Sequence, residues 1–113
     1  ITATDWVVVE ALHGALPRTQ AEMNASANNH LDQEEIKLLE TLGEVAALKD
    51  IDTNALQTLQ EGWTKWANAQ ATLVASQVEG GSMYPMIWAS EKAALARERR
   101  DQLARLKSEW MDR

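Results

Sequence analysis

Arg97, Arg99 and Arg100 are the side chains best suited to chemistry in this chain of 113 residues. A guanidinium grips a carboxylate through two parallel hydrogen bonds, so clustered arginines read first as an anion site. The apolar residues around them, Ala89, Ala93, Ala96 and Leu103, recur at helical spacing and turn Arg99 or Arg100 toward a helix seam. A charge there is costly unless paired. The opposing anion is either a carboxylate of the chain itself, with Glu22, Glu40 and Glu44 as candidates, or a carboxylate ligand contributed to the seam, across a dimer interface if the chain pairs with itself.

Other constellations are weaker. Glu10 and His13 form the Glu-x-x-His unit used twice in di-iron bundles, but the only other histidine, His30, has Ala27 at the matching position. A haem would need His13 paired with Met23, Met83, Met86 or Met111, and methionines more often fill irregular gaps in a core. No cofactor or metal is therefore predicted. Gly80-Gly81-Ser82 lacks the lysine of a phosphate loop, and no serine sits in a nucleophile setting, so no enzymatic activity is predicted. Asn24-Ala25-Ser26 matches a glycosylation acceptor, a common three-residue coincidence. Trp88 with Met83, Tyr84, Pro85 and Met86 makes either an exposed patch for a partner or the overflow of a core at one end of the fold.

The elements that position these residues follow from apolar periodicity. Trp6, Val9, His13, Leu16, Gln20, Met23 and Ala27 lie on one helical stripe. A second stripe runs through Ile36, Leu39, Leu42, Ala46 and Lys49, a third through Leu56, Leu59, Trp63, Trp66, Gln70, Leu73 and Gln77, and a fourth through Met86, Ala89, Ala93, Ala96, Leu103, Leu106 and Trp110. Helices are predicted over about 4–27, 32–49, 53–78 and 84–111, within a single domain spanning 1–113. Pro17 kinks or breaks the first. A turn at Asn28-Asn29-His30 and a cap at Asp32 separate it from the second, Asp52 or Thr53 caps the third, and Pro85 opens the fourth. Short connections make neighbours antiparallel, so the predicted fold is an all-α, up-down-up-down four-helix bundle with both termini at one end.

Composition narrows the partners. With 17 acidic and 11 basic residues the net charge is -6, which disfavours nucleic acid and anionic lipid. There is no cysteine, hence neither disulfide nor thiolate metal site. No apolar run approaches the ~20 residues of a membrane span. The chain opens on Ile1 without a leader pattern, which reads as a piece of a longer polypeptide.

Leu56 to Leu73 with Trp63 and Trp66, the break at Gly80-Gly81, and the Ala-rich last helix ending in Arg100, Leu103 and Leu106 resemble the periplasmic four-helix sensor domain of bacterial chemoreceptors and sensor kinases. The resemblance implies an extracytoplasmic sensor held by flanking membrane segments, dimeric through its first and last helices. It would bind a small ligand such as an organic acid and pass a helix shift to a signalling module. Carried onto this sequence, it implies Arg97, Arg99, Arg100 and Arg18 as ligand-binding residues. The alternative is a helical protein-interaction or scaffold domain without a small ligand, which would leave a cytoplasmic location open.

Overall fold

The computed structural model describes residues 19–112, and these are all-α, with three helices and no strand. Helix α1 spans Gln20–Ala46, α2 spans Thr53–Ala75 and continues into a single 3₁₀ turn at Ser76–Val78, and α3 spans Tyr84–Met111.

The start of α1 is set by Thr19, whose backbone is extended and whose Oγ1 accepts from the Glu22 amide at 3.1 Å and donates to Glu22 Oε1 at 3.2 Å. This is a capping-box sequence, Thr-x-x-Glu. The helix then runs straight through Asn28, Asn29 and His30, where a turn was expected, and Asp32 lies in its interior instead of capping a new helix. Ala27, Leu31, Glu34, Leu38 and Val45 carry a buried stripe across that stretch. Packing of the stripe outweighs the weak helix propensity of two asparagines, whose side chains are exposed. The expected helices 4–27 and 32–49 thus merge over their described parts, and the four-helix bundle is corrected to three helices among the described residues. The kink at Pro17 lies outside them.

The connections obey local rules. After α1 the chain turns through Asp50 at φ 63°, and Asp52 then caps α2 by accepting from the Ala55 amide at 3.0 Å. Gly80, at φ 79°, takes the left-handed conformation that reverses the chain before α3, and Pro85 occupies the first turn of that helix, where its missing donor costs nothing.

Helix α3 is the centre of the fold: α1 and α2 both pack against it and approach each other little. Helices α1 and α3 run in the same direction. Asn24 Nδ2 donates to the Ser82 carbonyl at 3.1 Å at one end, and Trp110 Nε1 donates to the Lys49 carbonyl at 2.9 Å at the other. Helix α2 runs against both, with Trp88 Nε1 on Thr72 Oγ1 at 3.2 Å and Arg99 Nε on Gln60 Oε1 at 3.1 Å. Thr19 and Asp112 therefore stand at opposite ends. The expectation that both termini emerge together rests on Ile1, outside the described residues.

Two apolar clusters form the core. Ala27, Leu31, Met86, Ala89 and Ala93 make one, and Leu38, Val45, Leu56, Ala96 and Leu103 the other. Two of the expected stripes are rotated from their predicted faces. In α1 the buried residues are Leu38 and Val45 while Ile36 and Leu39 face out; in α2 Ala67, Ala71 and Ala75 are buried while Leu59, Trp66 and Leu73 are more than half exposed. Rows of alanine let two helix backbones come close, so α2 presents its smallest residues to α3 and turns its bulkiest outward.

Candidate docking surfaces

Between the two apolar clusters lies a layer of charge. Glu34 occupies a stripe position between Leu31 and Leu38, and its side chain is only 4% exposed. Arg100 Nη1 approaches its Oε2 at 3.2 Å, Arg97 Nη2 its Oε1 at 3.6 Å, and Lys37 Nζ its Oε1 at 3.9 Å. The Arg100 contact is a charge contact without hydrogen-bond alignment, since Oε2 is buried with no hydrogen-bond partner. Of the carboxylates expected opposite the arginines, Glu44 pairs instead with Lys107 at 3.7 Å. Glu34 was not among those candidates, although a glutamate three residues after Leu31 and four before Leu38 can be read from the sequence as a buried carboxylate.

Arg99 points the other way, into α2. It donates from Nε to Gln60 and from Nη1 to Gln102 Oε1 at 3.2 Å, while Nη2 is buried without a partner. Burial holds its pKa below the ordinary arginine value. Arg97 and Arg100 thus share one carboxylate, Arg99 is held apart from them against α2, and Arg18 lies outside the described residues.

Lys92, also buried, donates to Asn68 Oδ1, lies 3.9 Å from Glu35 Oε1, and sits 5.3 Å from the centre of the Trp88 ring. Met86 is buried in the first apolar cluster and half-buried Trp88 packs against it, whereas Met83 and Pro85 of the same group are exposed.

Among the described residues, two apolar surfaces combine several exposed large side chains or an open hollow. One is the outer face of α2, where Leu59, Trp66 and Leu73 follow each other at seven-residue spacing beside Gly62, Trp63 and Arg99. The other is a trough between α1 and α2, whose backbones approach each other little. Leu42 and Ala46 form one bank, Thr53, Leu56, Gln57, Gln60 and Glu61 the other, around a volume of about 240 Å³. A second hollow of about 160 Å³ shares Gln60 and reaches Glu35, Leu39 and Trp63. Leu39 and Ile36, on α1, are 65% and 57% exposed. Surfaces of this kind suit a macromolecule better than a small ligand, which calls for an enclosed pocket.

The family model described as "Lysozyme inhibitor LprI" matches residues 15–103, which is most of the chain. The chain belongs to the LprI lysozyme inhibitor family. Curated proteins and solved structures give no match. Membership corrects the resemblance to chemoreceptor sensor domains: paired leucines, two tryptophans and a glycine break are features that unrelated helical folds share. The sensing, chemotaxis and signal-transduction reading falls with it, as does the small-molecule partner and the dimer built to hold one. The partner class of LprI proteins is a protein, as in the alternative of a helical interaction domain. No described helix is long and apolar enough to cross a membrane.

Proposed function

We propose that this protein inhibits lysozyme by docking on the enzyme as a folded helical domain, with no catalytic step and no small ligand of its own. The family match over residues 15–103 carries the reading. Lysozyme cleaves a glycan between two carboxyl groups in an open cleft, so a folded protein seated on or beside that cleft stops the reaction by excluding the polymer. The charge of -6 supports such an encounter. An enzyme working on an anionic bacterial wall gains from a cationic surface, and opposite net charges speed association. The protein meets its target where the wall is, outside the cytoplasm.

The test is a titration of purified chain into a lysozyme assay on suspended bacterial walls. Saturable loss of lysis near a one-to-one ratio is the expected result. Undiminished lysis at a large molar excess of folded chain overturns the proposal.

A further inference from the structure

We infer that the trough between α1 and α2 is the surface that receives lysozyme, through a cationic stretch of the enzyme that seats an apolar side chain between the two helices. This rests on the inhibitor reading above.

The shape comes from the packing. The backbones of α1 and α2 approach each other little, so Leu42, Ala46 and Leu56 line an opening between them whose floor is the core cluster that holds Leu56 and against which Leu42 packs. Leu39 and Ile36 extend the apolar surface out of the trough onto α1, and nothing in the described structure covers them. Binding energy concentrates in such apolar centres when they are ringed by polar groups that exclude water.

Charge selects this surface over the outer face of α2. Asp32, Glu35 and Glu40 stand on α1 near Ile36 and Leu39, and Glu61 lies on the α2 bank. Asp32 and Glu40 form no ion pair among the described residues. Glu35 lies 3.9 Å from Lys92, a buried cation that lines the second hollow, and Lys37, beside Ile36, is drawn 3.9 Å from Glu34. Asp32 and Glu40 therefore keep their charge for a partner, while Glu35 shares its charge with Lys92 and Glu61 accepts from Gln57 Nε2 at 3.1 Å without a cation among the described residues. The face of Leu59, Trp66 and Leu73 has Lys65 nearby, and Glu61 turns away from it into the trough. A cationic enzyme is attracted to the first surface and gains nothing from the second.

The experiment uses the whole chain in three forms and measures inhibition and binding of purified lysozyme, with circular dichroism to verify folding. Leu39→Lys places a cation where an apolar anchor and a cationic partner meet. Asp32→Lys with Glu40→Lys reverses the rim without touching the core. Trp66→Ala with Leu73→Ser alters only the outer face of α2. The inference expects Leu39→Lys to weaken inhibition by about thirtyfold, the size of a single interface hot spot. It expects the rim variant to slow association about tenfold at low salt. The α2 variant should stay within about twofold of the parent on the same scale. Parent-like inhibition by the two trough variants, or loss confined to the α2 variant, overturns the docking assignment while leaving the inhibitor reading intact. A parent chain that fails to inhibit overturns the inhibitor reading itself.

Discussion

Replacing Arg97 and Arg100 together by methionine strands the carboxylate of Glu34, whose side chain is 4% exposed. Its two closest cations, at 3.2 and 3.6 Å, disappear and leave Lys37 at 3.9 Å, on a half-exposed side chain. An exposed pair one helical turn apart is worth roughly 0.3–0.5 kcal/mol, whereas stranding a buried charge costs roughly 3–5 kcal/mol. The lower end applies, because the side chains of Arg97 and Arg100 are 41% and 25% exposed and water already screens part of their attraction. A loss of about 3 kcal/mol, at about 4–8 °C per kcal/mol for a domain of this size, lowers the melting temperature by roughly 12–24 °C. Thermal and urea melts followed by far-UV circular dichroism measure it. Adding Glu34→Leu to the double variant should recover most of the loss, since an apolar side chain then completes the stripe between Leu31 and Leu38. A double variant within about 1 kcal/mol of the parent, or a triple variant no more stable than the double, refutes the account of Glu34 as a buried charge held by these arginines.

Arg99→Met should behave oppositely to the Arg97 and Arg100 pair: removing a desolvated cation with an unpartnered Nη2 should leave urea stability within about 1 kcal/mol of the parent or raise it. Ser90→Ala deletes a buried hydroxyl with no hydrogen-bond partner and should stabilise by about 1 kcal/mol in the same melts. Gly62 lies inside α2, and a Cβ there meets nothing within 4 Å, so Gly62→Ala should add about 0.5–1 kcal/mol and leave lysozyme inhibition unchanged. Inhibition should weaken as ionic strength rises from about 0.05 to about 0.5 M, through slower association; a salt-independent rate would remove the electrostatic part of the proposal.

Much of the fold was legible where one residue type decides the geometry. Asp52 as a cap and Pro85 in a first turn are local signals, and the structure uses both. The stripe of Met86, Ala89, Ala93, Ala96 and Leu103 is buried as its spacing predicts, although Lys92, Leu95 and Arg99 of the same helix are buried beside it. In α2 the opposite held. Leu59, Trp66 and Leu73 outweigh Ala67, Ala71 and Ala75 on any hydrophobicity scale, yet close backbone approach favours the alanines, and that preference is a property of the pair of helices rather than of either alone. The join across Asn28 to His30 was missed for a similar reason. The Thr19 to Glu22 capping box marked the true start of α1, but Pro17 and the asparagines drew the boundaries instead. For the site, the need for an anion beside the arginines was readable and its identity as Glu34 was readable in principle. The trough was not, because it exists only where two helices share a third and keep their own backbones apart.

The common direction of α1 and α3 gives the domain the character of a strut. Thr19 is held from Asp112 by about the length of α3, 28 residues or about 42 Å. The trough lies toward one pole of this strut, where Ala46 and Thr53 flank the connection that Trp110 holds through the Lys49 carbonyl, so a partner seated there sits nearer Asp112 than Thr19.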